Sequence, residues 1–151
     1  MITQYMADVK LSPQEMHLAA SHGVVRTVSA INRKAKRAHN LKDEDAKSWQ
    51  VSIEGCMAEL ALCKWLNVYW TGAIKHGAVD VGSTCDVRQT DDATGNLILH
   101  KSDDDDLPFY LVTGKQGEYK VRGWMFARDG KQDKYWTTEK DKNRPAFWIP
   151  Q

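Results

Sequence analysis

Up to Leu66 the apolar residues recur at helical spacing, whereas beyond Asn67 they gather into short runs separated by turn signals. Leu18, Val25, Val28 and Ile31 predict an amphipathic helix over about residues 13 to 38. Its start is marked by Ser12-Pro13-Gln14-Glu15: Ser12 can cap, Pro13 suits the first helical position and Glu15 completes a capping box. Arg33, Lys34, Lys36 and Arg37 place cations at the far end, where they favour the helix dipole. After a polar break, a second helical pattern runs from about Ser48 to Leu66, with Trp49, Ile53, Met57, Leu60 and Leu66 as its apolar stripe. Gly55, Ala58 and Ala61 keep another face thin enough for close approach, and Glu59 lies among apolar neighbours in the middle of the segment.

The second half reads as a β-meander. Extended runs fall at Val68-Tyr69-Trp70, Cys85 to Arg88, Asn96 to His100, Phe109 to Val112 and Tyr119 to Ala127, divided by Thr71-Gly72, Thr94-Gly95-Asn96, Thr113-Gly114 and Asp129-Gly130. The closing stretch from Trp136 carries Phe147 and Trp148 and ends in Ile149-Pro150, which predicts a tail packed on the body. Helices first and strands second predict a single α+β domain, with N-terminal helices on a mainly antiparallel sheet.

Composition narrows the class. A length of 151 residues with 42% hydrophobic and 27% charged residues suits one globular domain. The net charge of +1 supplies no global field for nucleic acid, so any such binding needs a local patch. Cys56 and Cys63 lie two helical turns apart, too far for a bridge, and no spacing suits structural zinc. Neither a leader-like start nor a long apolar run is present, which predicts a soluble protein of the reducing cytoplasm.

Against this background the acidic residues Glu59, Asp80 and Asp86 and the cation Arg88 stand out. In an extended Asp86-Val87-Arg88 the two charged side chains share one face and Val87 points to the other. Five residues separate Asp80 from Asp86, enough for a hairpin at Val81-Gly82 that brings the two carboxylates together. A third carboxylate from the Glu59 helix would complete an oxygen-rich site for Mg²⁺ or Mn²⁺. Such an ion polarises a phosphodiester and acidifies an attacking water, while Arg88 offsets transition-state charge without serving as a base.

In this order the residues resemble the PD-(D/E)XK nuclease superfamily over roughly residues 50 to 125. Gly55-Cys56-Met57-Ala58-Glu59 looks like its helical motif. Val79-Asp80 looks like its "PD" with Val for Pro, and Asp86-Val87-Arg88 looks like its "(D/E)XK" with Arg for Lys. The resemblance implies a restriction-endonuclease-like core and a metal-dependent nuclease with Glu59, Asp80 and Asp86 as ligands and Arg88 as the catalytic cation. It implies nucleic acid, DNA before RNA, as partner. The whole chain is also similar to small phage and prophage proteins, which implies action in a host cytoplasm. The same likeness admits a catalytically silent module that binds a host protein or DNA.

Plainer assignments stand beside these. Glu59 can pair with Lys64 or with an arginine of a neighbouring helix, Asp80 can start a turn, and Asp86 with Arg88 can form a surface pair. Arg33, Lys34, Lys36 and Arg37, with Arg26 and Lys42, can track a phosphate backbone or simply solvate a helix end. Lys101, Lys115, Lys120 and Arg122 are further candidates for phosphate contact. His76 is a loop histidine or a base near the site, and the run Asp103-Asp104-Asp105-Asp106 reads as a solvated loop without calcium-loop spacing.

Overall fold

Ser12 closes the start of α1 (Pro13–Asn32) as its sequence predicts. In the computed structural model, which describes residues 2–33, 45–73, 79–142 and 144–151, its hydroxyl accepts the Glu15 N–H at 3.2 Å. The Glu15 carboxylate returns the bond to the Ser12 N–H at 2.7 Å. Glu15 also receives Lys64 at 2.8 Å, tying the start of α1 to the end of α2 (Asp45–Leu66).

The face that α1 buries is not the expected one. Ala19, Gly23 and Thr27 are buried, spaced by four, whereas Leu18, Val25, Val28 and Ile31 are 45–58% exposed. Gly23 is the reason. A Cβ there would stand 2.5 Å from the Ile53 Cα, so the helices meet backbone to backbone along the small-residue face of α1. Close approach maximises dispersion contact for α2 and leaves the larger residues of α1 turned outward. Gly55, the glycine expected to provide thinness, has open space around it.

Below the helices lies a four-stranded sheet in the order β1-β5-β4-β2, comprising β1 (Thr3–Lys10), β2 (Asp86–Thr90), β4 (Pro108–Lys115) and β5 (Glu118–Phe126). The pairs β1–β5 and β4–β5 are antiparallel, but β2 runs parallel to β4 with Asp86 opposite Phe109. A second, antiparallel sheet takes β3 (Leu97–Leu99), β7 (Ala146–Ile149) and β6 (Trp136–Thr137) in the order β3-β7-β6. The fold is α+β with mostly antiparallel pairing, but it is not a simple meander. β3 leaves the main sheet, β1 comes from a segment without a strand signal, and Val68-Tyr69-Trp70 is irregular.

Two apolar clusters hold these layers. One joins α1 and α2 to the main sheet through Ala58, Leu62, Val87, Val112 and Val121. The other fills the space between the sheets with Leu97, Leu99, Phe109, Leu111, Phe147 and Ile149. The C-terminal segment is thus a structural strand, and it forms one side of the groove described below. The α3 turn (Ala127–Gly130) follows β5 directly. No helix among the described residues is long and apolar enough to cross a membrane.

Candidate functional site

The stretch from Asp80 to Val87 folds back on itself as a short hairpin. The Val81 N–H donates to the Cys85 carbonyl at 3.0 Å, the Thr84 N–H returns to the Val81 carbonyl at 3.0 Å, and Gly82 takes φ +57° in the turn. This geometry places Asp80 beside Asp86 at the start of β2. The Asp80 N–H donates to Asp86 Oδ1 at 2.9 Å, and the Val87 N–H donates to Asp80 Oδ2 at 2.9 Å. Each carboxylate therefore fastens the hairpin backbone with one oxygen. Asp80 Oδ1 and Asp86 Oδ2 accept no hydrogen bond from any described residue.

Strand alternation buries Val87 and turns Asp86 and Arg88 to the opposite face. There they line, with Asp80, an open groove of about 1320 Å³. The electrostatics of the pair are unfavourable as it stands. Burial, and then the negative charge of Glu59, push Asp80 up to about 7, against the Val87 N–H and the arginines, which favour the anion. Burial and the neighbouring Asp80 also raise Asp86. Two carboxylates are thus held together in a partly dehydrated place, where a cation would relieve both.

Glu59 is close enough to bear on Asp80 but is committed elsewhere. Its two oxygens receive the Arg26 guanidinium as a fork, Nη2 at 2.8 Å from Oε2, and Trp70 donates its indole N–H to Oε2 at 3.2 Å. Arg26 is held in turn by the Ala73 carbonyl at 2.6 and 3.1 Å. Of the assignments open in the sequence, the arginine of a neighbouring helix is the pairing observed; Lys64 goes to Glu15. Glu59 does not line the groove. Among the described residues no three His, Cys, Asp or Glu side chains form a ready metal-binding group.

Arg88 is anchored too. Its Nε donates to the Ile98 carbonyl at 3.1 Å, its Nη2 reaches the two Asp103 oxygens at 3.1 and 3.0 Å, and its guanidinium lies 4.6 Å over the Phe109 ring. Nη1 makes no hydrogen bond to a described residue. Asp103 is drawn in by the Arg88 contact, while Asp104, Asp105 and Asp106 stay exposed in the loop, as the sequence predicts. Asp103 also accepts the His100 N–H at 2.8 Å, Asp104 accepts the Asp106 N–H at 3.0 Å, Asp105 meets Lys131 at 2.7 Å, and Asp106 pairs with Arg128.

Of the cations expected to contact nucleic acid, Lys101, Lys120 and Arg33 fall away from the groove. Lys101 sits 4.3 Å over the Trp136 ring, Lys120 pairs with Asp8 at 3.2 Å, and Arg33 caps the end of α1; none of them lines the groove. Lys34, Lys36, Arg37, Lys42 and His76 lie outside the described residues. Lys115 does line the groove, joined by Lys47, Lys140 and Arg144, which sequence reasoning missed. No motif marks those three, since Lys47 lies far along the chain from Lys140 and Arg144.

Glu54 was also missed. Buried on α2 five residues before Glu59, it accepts the Gln116 N–H at 3.1 Å at both oxygens, together with the Tyr119 hydroxyl. Burial and this bond raise Tyr119 above its ordinary value. Gln116 takes φ 55°, and the carboxylate holds that turn residue in its left-handed conformation. Burial pushes the Cys56 and Cys63 thiols up to about 12 and Cys85 up to about 11, so thiolate chemistry at neutral pH is suppressed. Comparison of the chain with protein-family models, curated proteins and solved structures yields no match.

Proposed function

We propose that the groove hydrolyses phosphodiester bonds of nucleic acid, with Asp80 and Asp86 holding Mg²⁺ or Mn²⁺. The observation that carries this reading is the Asp80–Asp86 latch, which brings the two carboxylates together at the groove and leaves one oxygen of each without a hydrogen bond to a described residue. The donor set fits a hard cation, since Mg²⁺ is held by one or two carboxylates with waters and substrate phosphate completing its shell. When bound, the metal supplies phosphate polarisation and an acidified water.

The chain's own residues do the rest. Arg88, fixed by Asp103 and Phe109, has Nη1 left to donate to a phosphate oxygen. It stays charged and so stabilises without taking the proton. Glu59 serves as a fixed negative charge behind Asp80, strengthening the pull on a cation from a position locked by Arg26. A glutamate-bearing helix, a hairpin and then an acid-X-cation strand follow the order of the PD-(D/E)XK core, which supports a restriction-endonuclease-like reading.

Supercoiled plasmid incubated with the protein and Mg²⁺ or Mn²⁺ tests this. Nicking by the wild type and not by Asp80→Asn or Asp86→Asn is expected; equal cleavage by all three sinks the assignment. A second reading, a catalytically silent module binding DNA or a host protein, draws on the ion pairs of Arg88 and Glu59, which occupy both residues within the protein. DNA binding by a wild type that cleaves nothing with either metal would decide for it.

A further inference from the structure

The groove is open and, at about 1320 Å³, larger than the roughly 300–1,000 Å³ of pockets that enclose a small molecule, so it has room for a longer ligand. Its cations are distributed accordingly. Lys47 comes from the first turn of α2, Lys115 from the end of β4, and Lys140 and Arg144 from the segment before β7, yet all line the groove that holds Asp80 and Asp86. These cations share the groove with Asp91, Asp92, Asp103 and Asp104 as well as with Asp80 and Asp86, so the wall carries a patch of mixed charge and not a basic field.

The C-terminal segment gives this patch its fixed geometry. The Lys140 ammonium lies 4.8 Å over the Trp148 ring, a cation–π contact that holds a flexible side chain at the groove. The Asp141 carbonyl and carboxylate each accept the Arg144 N–H at 3.2 Å, folding the backbone that presents the guanidinium. Burial, then the like charge of Arg88, pull Arg144 below its ordinary value, while Asp141 and Asp103 offset part of that. Asp103, which bonds Arg88, also acts on Arg144, so the two guanidinium groups already share one anion within the fold.

We infer that Lys140 and Arg144, on the segment leading into β7, grip backbone phosphates flanking the bond presented to Asp80 and Asp86. The substrate is then a polynucleotide strand, recognised by several phosphates, and not a phosphomonoester or a single nucleotide. Trp148 acts as a positioning residue for Lys140. This inference rests on the proposed phosphodiesterase reading for what happens at the floor, but the grip itself needs no cleavage.

Binding of a fluorescent single-stranded oligonucleotide to an Asp80→Asn/Asp86→Asn background in EDTA, across a salt series, separates the two. Removing one cation that neutralises a phosphate makes the slope of log K against log salt shallower by about 0.7. Lys140→Ala and Arg144→Ala are each expected to weaken binding severalfold with that change in slope. Lys101→Ala, outside the groove, is expected to leave both unchanged. Because Arg144 has partners within the fold, Arg144→Lys and thermal melting accompany it; restored affinity at equal stability supports phosphate contact.

Unchanged affinity and slope in both wall variants, or equal losses from Lys101→Ala, overturn the inference. So does affinity for a mononucleotide that matches the oligonucleotide. Salt-dependent binding that disappears in the wall variants, with no cleavage by the wild type, upholds the inference and removes only the nuclease reading.

Discussion

Among the described carboxylates, Glu54, Glu59, Asp80 and Asp86 divide into two pairs that differ in one respect. Glu54 and Glu59, both on α2, have every oxygen occupied, by Gln116 and Tyr119 in one case and Arg26 and Trp70 in the other. Asp80 and Asp86, on the hairpin, use one oxygen each and stand against each other's charge. A buried acid that is fully matched holds the structure together. One held short of its partners stores an electrostatic demand that a ligand can meet.

Substitution at the hairpin breaks this contrast most sharply. Asp86→Asn or Asp80→Asn is expected to lower plasmid cleavage at least about a thousandfold, or about 4 kcal/mol of transition-state stabilisation, while the melting temperature holds or rises because repulsion is removed. On the α2 side the order reverses. Arg26→Met leaves Glu59 buried and uncompensated, and denaturant titration should show a loss of about 3 kcal/mol, near the lower end for a buried pair because Arg26 is 22% exposed. Glu54→Gln is expected to cost about 2 kcal/mol by the same measurement, since Gln can satisfy only part of the Gln116 and Tyr119 contacts.

The contrast is also read in the pH response. A carboxylate raised in the folded state binds its proton more tightly there than in the unfolded chain. Stability contributed by Asp80 is therefore present below about pH 4 and is lost as pH rises towards about 7. Melting curves from pH 4 to 8 should show this fall in the wild type and a flatter profile in Asp80→Asn. Millimolar Mn²⁺ should restore the wild type at the upper end, because a ligand of the native state alone raises its stability. A profile that ignores both changes removes Asp80 from the demanding pair.

What the sequence made legible was local. The capping box at Ser12 and Glu15 and the return of Asp86 to Asp80 are each decided within a few residues, and both stand as expected. What it hid was decided by distance or by packing. Arg88 finds Asp103 across 15 positions, inside an acidic run whose composition reads as solvent-facing. The α1 stripe gave way because one glycine lets two backbones approach, outweighing the larger side chains. The β1 segment Thr3–Lys10 is mixed in polarity and has a bulge between Gln4 and Ala7, so period-two alternation never develops. The parallel register of β2 on β4 has no local signature at all.

The latch between Asp80 and Asp86 also bears on how such a chain can change over generations. Each carboxylate is both a candidate ligand and the clasp that shuts the hairpin. Asparagine at either position keeps a carbonyl oxygen for the clasp and discards the charge. Descendants that retain the architecture while giving up the proposed reaction are thus one codon change away, and an inactive relative would keep asparagine where an unrelated loop would drift freely.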